Sequence, residues 1–289
     1  MRRIIEALLF SAVALFAAHA ARAQDLTVPQ QITAGDEVDM KTSGSGRARL
    51  YLYGPANVIV REVELGKNVT VAPEEVRSAG RYTAVLAGDK TVARQFYVTA
   101  AQPKQVNFLA RPSRVPAARS GAVTGAAFVF DEFNNIVRQA TPVKFNLAVA
   151  GSAAQTRVAQ THNGIAWTRL DSGRKEGPAQ FTASVGDFSV RRVVQHTASE
   201  PCDLRFTARR AEKGDRLIVE TSPVRDCAGN AVPDGTIVTF IQVGPSGRST
   251  VDARIKRGVA RAELPAQPGL ISVASGVVMG NELNWGGGI

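Results

Sequence analysis

Aromatic residues are scarce in this 289-residue chain, with Phe, Trp and Tyr together at 6%. Its cores must therefore be built mainly from Val, Ile, Leu and Ala. Cysteine is scarcer still, Cys202 and Cys227 being the two copies. Two cysteines without nearby histidines supply too few ligands for a structural zinc site. Beyond the first 23 residues the histidines are His162 and His196, neither with a carboxylate at helical spacing beside it. No Gly-x-Ser-x-Gly elbow, phosphate loop or His-Glu-x-x-His pattern occurs. The densest carboxylate spots, Asp131-Glu132 and Glu74-Glu75, fall in expected turns, where solvated charge is the default. The chain is read as non-enzymatic, with no catalytic residue, no cofactor and no metal site.

Long apolar runs are missing too, except at the start. Met1-Arg2-Arg3 supplies positive charge, Ile4–Ala18 is mostly apolar, and Ala21-Arg22-Ala23 offers a small-x-small cleavage pattern. Residues 1–23 are expected to be a signal peptide cut before Gln24. The competing reading, a membrane anchor, suffers because the run falls short of the roughly 20 residues a span needs. Neither cysteine lies near the cleavage site, so no lipid-attachment cysteine is offered. The expectation is an exported protein, periplasmic, cell-surface or extracellular, with no transmembrane segment in the mature chain. Cleavage leaves 266 of 289 residues, and losing Arg2, Arg3, Arg22 and Glu6 lowers the net charge from +10 to +8.

What the chain does have is a repeat. Asp131–Phe145 (DEFNNIVRQATPVKF) and Asp226–Phe240 (DCAGNAVPDGTIVTF) align without a gap. They share Asp131/Asp226, Asn135/Asn230, Val137/Val232, Thr141/Thr236, Val143/Val238 and Phe145/Phe240. Two further correspondences follow: Asn163–Leu170 with Gly258–Leu264, and Phe181–Gly186 with Ile271–Gly276. Earlier, Arg47–Tyr53 and Val58–Glu64 alternate in period two around Gly54-Pro55-Ala56-Asn57, a β-hairpin signature. Pro73–Val76 reads as one helical turn with proline where its missing N–H does no harm. Ala79–Ala84 has the small-Gly-x-Tyr entry of a tyrosine corner at Tyr82. Pro112–Pro116 must be extended, because proline biases its predecessor away from the helical region, and reads as an edge strand.

These patterns predict an all-β chain of three tandem immunoglobulin-like β-sandwiches after the signal peptide. The expected modules span 24–101, 102–198 and 199–289. Cys202 and Cys227, an even pair in an exported protein, are expected to form a disulfide within the third. Asp131 with Asn134 and Asn135, and Asp226 with Asn230, could be weighed as calcium ligands. Local backbone bonding in a turn is the stronger reading, because calcium wants six to eight oxygens.

The Asp-x-x-x-Asn turn, the Val-x-Phe strand after it and the later Gly-x-Ala-x-x-x-Leu resemble bacterial immunoglobulin-like domains of the invasin/intimin type. The resemblance covers the second and third modules; the first is generically immunoglobulin-like. Arg138 stands where the third module has Pro233, a departure from the usual Val-Pro. The resemblance implies the fold, and a role as spacer or adhesion module outside the cell.

Trp167 is the most informative single residue. The Gly258–Leu264 counterpart puts Ala260, Ala262 and Leu264 inward, so Ala166, Thr168 and Leu170 should face the core. Ile165, Trp167 and Arg169 then face outward. Coverage of Trp167 by the protein's own surface is the preferred reading, and contact with a partner through Trp167, Ile165 and Arg169 is the alternative. The positive charge is scattered without interleaved aromatics, which argues against nucleic acid. It suits solvated outer faces, or attraction to anionic polymers. The leading expectation is an exported structural, adhesion or spacer protein whose partners are cell-surface proteins, polysaccharide or other anionic envelope polymers. A carbohydrate or anionic-polymer binder of the envelope is the alternative. A periplasmic assembly chaperone ranks third, since two angled domains suit that task better than three in tandem.

Overall fold

A computed structural model describes residues 23–212 and 215–286. The expected signal peptide lies outside the described residues, apart from Ala23. The chain divides into two compact units. The first holds the residues up to Lys104 together with Phe130–Arg138, and the second holds Gln105–Val129 and the residues from Gln139 on.

Among the described residues twenty-five strands follow one another, and the one helical element is the short 3-10 turn Pro73–Glu75. In the first sandwich they are β1 (Asp25–Thr27), β2 (Gln31–Thr33), β3 (Val38–Ser43), β4 (Arg47–Tyr53), β5 (Val58–Glu64), β6 (Asn68–Val71), β7 (Gly80–Ala87) and β8 (Thr91–Thr99). One sheet runs β1-β3-β6 and the other β2-β8-β7-β4-β5. Strict alternation makes this possible: in β3, Val38 and Met40 are fully buried while Asp39 and Lys41 face water. Leu26, Leu52, Leu86 and Phe96 from both sheets share one core. Tyr82 is fully buried, with its ring 5.3 Å from that of Phe96. It occupies the tyrosine-corner position, and its hydroxyl faces the Ser78 backbone without a bond of ordinary geometry. Gly54 leaves the room for that ring, because a Cβ there would lie 2.4 Å from it.

The second sandwich contains β9 (Gln105–Arg111), β10 (Arg114–Pro116), β11 (Val123–Phe130), β12 (Pro142–Val149), β13 (Gln155–Gln160), β14 (Ile165–Leu170), β15 (Gly177–Val185) and β16 (Phe188–Thr197). Its sheets run β14-β11-β9 and β10-β16-β15-β12-β13. Phe108 of one sheet meets Phe145 and Phe181 of the other, at 6.0 and 4.9 Å between ring centres. Such clusters add stabilisation of about 0.5–1.5 kcal/mol per pair beyond area burial. Gly125 permits this one, since a Cβ there would stand 2.6 Å from Phe181. The proline-flanked β10 lies at the sheet edge, as the sequence predicts.

The third sandwich contains β17 (Pro201–Cys202), β18 (Phe206–Arg210), β19 (Arg216–Thr221), β20 (Arg225–Asp226), β21 (Ile237–Gly244), β22 (Gly247–Arg254), β23 (Arg261–Pro265), β24 (Gly269–Ser275) and β25 (Val278–Trp285). Sheets β18-β19-β23 and β22-β21-β24-β25 enclose Phe206, Leu217, Phe240, Leu264 and Ile271. The ribbon β17-β20 carries the disulfide, with Cys202 Sγ bonded to Cys227 Sγ at 2.04 Å.

Candidate functional site

The outward face of β14 is as the alternation predicts. Ala166, Thr168 and Leu170 are buried, whereas Ile165, Trp167 and Arg169 are exposed. The expected coverage of Trp167 is not found: the indole is 65% exposed. The reason lies in its neighbours. Across the ladder it stands opposite Ala126, whose methyl is too short to shield it, with Phe128 opposite Ile165 and Thr124 opposite Arg169. The β9 strand of the same sheet adds Leu109, 52% exposed and on the same side because Val106 and Phe108 turn into the core. The result is an apolar stripe bordered by the Arg169 guanidinium.

The repeated Asp-x-x-x-Asn turns form the second candidate. In the second unit, Asp226 Oδ1 accepts the backbone N–H groups of Ala228 and Asn230 at 2.9 and 2.8 Å. Its Oδ2 accepts the Ser199 N–H at 3.0 Å and the Asn230 side-chain amide at 2.8 Å. Asn230 then grips the loop between β14 and β15: its Nδ2 donates to the Arg174 carbonyl at 2.8 Å, and its Oδ1 accepts the Glu176 N–H at 3.1 Å. Both turn and linker thereby attach the third sandwich to the second. Ser199 reinforces the attachment by donating its hydroxyl to the Ala117 carbonyl at 2.6 Å. Burial draws the Asp226 carboxyl upward, but the bonds from Asn230, Ser199 and Ala228 outweigh it and hold the pKa below the usual carboxylate range.

Within the first unit the same six bonds recur around Asp131. Its Oδ1 accepts from the Phe133 and Asn135 N–H groups, and its Oδ2 from Ala101 and from the Asn135 amide. Asn135 donates to the Arg77 carbonyl at 2.7 Å and accepts the Ala79 N–H at 2.8 Å. Phe133 adds a cation–π contact there, the Arg77 guanidinium lying 5.6 Å from the ring centre, and Gly35 has no room for a side chain beside the ring.

Each carboxylate thus meets four N–H donors, the arrangement of a local turn extended by a reach to a distant loop. That reach is what sequence reasoning missed. The readable sign was that the motif recurs in the second and third modules and is missing from the first. His162 and His196 stand apart in the fold, His162 exposed beside β14 and His196 buried in β16. Among the described residues no cluster of three His, Cys, Asp or Glu side chains is placed to hold a metal ion. No described helix is long and apolar enough to cross a membrane.

No protein-family model matches the chain, and no curated protein matches it. Solved structures do. The FdeC adhesin of Escherichia coli is 16% identical with a TM-score of 0.61, over 92% of this chain and 99% of that one. InvD of Yersinia pseudotuberculosis is 11% identical with a TM-score of 0.49, over 90% and 96% of the two chains. Invasin, a bacterial integrin-binding protein, is 12% identical with a TM-score of 0.47, over 91% and 60%. The likeness to FdeC shows the fold: tandem immunoglobulin-like sandwiches of the kind found in bacterial adhesins.

Proposed function

We propose that this is an exported, non-enzymatic spacer or adhesion protein of a bacterial envelope, made of three modules at 24–101, 102–198 and 199–289 behind a cleaved leader. The observation that carries the reading is the repeated clamp. A spacer must hold its modules at fixed angles, and Asn230 with Asp226 does so by bonding the third sandwich to the backbone of the second. The FdeC-like fold supports the same reading. Fractionation of tagged cells with cross-linking tests it. The protein is expected in cross-linked envelope complexes, and recovery solely as a free soluble monomer contradicts the proposal.

A second reading rests on the exposed indole. Trp167 and Arg169 together suit a partner surface, protein or anionic polysaccharide, because such residues anchor interfaces at low entropic cost. Trp167→Ala is expected to change stability by less than about 0.5 kcal/mol, as an exposed substitution should. It is expected to weaken retention on an anionic polysaccharide column at moderate salt. Unchanged retention would remove Trp167 from the binding surface, and a loss of several kcal/mol would show that the ring is needed for folding.

A further inference from the structure

Three of the chain's four tyrosines lie on one surface, the outward face of the five-stranded sheet in the first sandwich. Alternation puts them there: Leu50, Leu52 and Phe96 turn into the core, so Tyr51, Tyr53 and Tyr97 turn out. The ladder then fixes the rows. Tyr53 stands between Val58 of β5 and Thr83 of β7, with Gln95 of β8 beyond. Tyr51 stands between Val60 and Val85, with Ala93 beyond. Val58, Val60 and Tyr97 are each more than half exposed, and Tyr53 nearly so. The Tyr51 and Tyr53 rings lie 6.3 Å apart, with their planes 11° from parallel. The five-stranded sheet of the second sandwich has nothing similar, since β12 and β15 turn Lys144, Asn146, Thr182 and Ser184 outward.

Positive charge brackets the rings. Arg49 precedes the two tyrosines on the outward side of β4, and Arg81 lies past Thr83 on β7, opposite Tyr97. The strands of this sheet carry two carboxylates, Glu62 and Glu64, and both are taken. Glu62, opposite Arg49, is bridged by Arg47 at 2.9 Å, and Glu64 by Lys67 at 2.8 Å. Arg61 and Arg94 pair with Glu75 and Asp25. Among the described residues Arg49 and Arg81 have no acidic partner. Ala87 stands beside Arg49, so six residues of β7, about 20 Å of strand, separate the two arginine rows.

We propose that this face binds an anionic polysaccharide lying along β4, its sugar rings on Tyr51 and Tyr53 and its acidic groups on Arg49 and Arg81. Pyranose rings carry C–H groups on their flat faces and hydroxyls around their rims. Tyrosine offers an apolar body with a polar tip, and Thr83 and Gln95 beside the pair add further hydrogen-bonding groups. Size decides against a protein partner. The four strands from β5 to β8 span about 14 Å, so the face offers on the order of 300 Å2, against about 800 Å2 per side in a standard protein interface. The proposal rests on the reading of an exported envelope protein, and it uses a face other than that of Trp167.

Titration calorimetry on the full chain tests it, with hexagalacturonate as the acidic probe and maltohexaose as the neutral one. Binding is expected for the acidic probe alone. Tyr53→Ala is expected to weaken it about tenfold, as truncating an interface tyrosine does, with the thermal midpoint unchanged. Arg49→Gln combined with Arg81→Gln is expected to remove most of the weakening that added salt causes. No binding, wild-type affinity in Tyr53→Ala, or equal affinity for maltohexaose overturns the proposal. Binding lost in Trp167→Ala but intact in Tyr53→Ala also overturns it, while leaving the Trp167 surface standing. A dimer in sedimentation that Tyr53→Ala abolishes does so too, because the face would then serve a second copy.

Discussion

His196 shows how much one side chain can set. It is fully buried in β16, and its Nδ1 accepts the Gly173 N–H at 3.2 Å. The proton therefore sits on Nε2, which is buried without a partner. Val149 and Val115 flank it, and the charged Arg174, Lys175 and Glu176 beyond Gly173 all face solvent. Burial pushes its pKa below the ordinary histidine value. A lowered folded value means that the unfolded chain takes up a proton the native state resists. Stability is thus intact above about pH 6.5 and falls as pH drops below it, by up to about 1.4 kcal/mol per pH unit. His196→Val, which copies Val98 of the first sandwich, should flatten that slope. Urea unfolding between pH 5 and 7.5 measures it, and a slope unaffected by the substitution would acquit the histidine. At this scale the direction of Trp167 was legible in the sequence, because period-two alternation leaves Ala166 and Thr168 no other side. Its exposure was not legible, since shielding depends on Ala126, about forty positions away in sequence and adjacent only once the sheet forms.

Among the elements, the turn that opens at Asp226 does two jobs. Cys227 within it ties the turn to β17, closing a loop of 25 positions. Replacing both cysteines by serine should cost about 3–4 kcal/mol in the chain-entropy picture. Chemical denaturation of the oxidised protein and the double variant checks this; equal midpoints would contradict it. Asn230 looks outward from the same turn. Asn230→Ala removes its bonds to Arg174 and Glu176 and is expected to cost about 1–2 kcal/mol. The repeat itself, the strands it leads into and the disulfide were all readable, because alternation and turn chemistry are local. The grip on residues 174–176 was not, because a bond to a backbone carbonyl leaves no mark on the residue that supplies it.

At the scale of the molecule, the second and third sandwiches meet at a junction specified by named hydrogen bonds. Among the described residues most ion pairs are exposed, Arg47–Glu62 and Arg205–Asp203 being examples, and such pairs contribute little to stability. The proposed rigidity belongs to the junction of the second and third sandwiches, through Asp226 and Asn230. Electron-spin distance measurement in the full chain tests it most directly, with labels at the exposed Gln160 and Thr250 on unnatural side chains that spare the disulfide. One narrow distance distribution is predicted for the native protein, broadening in Asn230→Ala while each sandwich stays folded. A distribution equally broad in both, or equally narrow in both, would contradict the clamp.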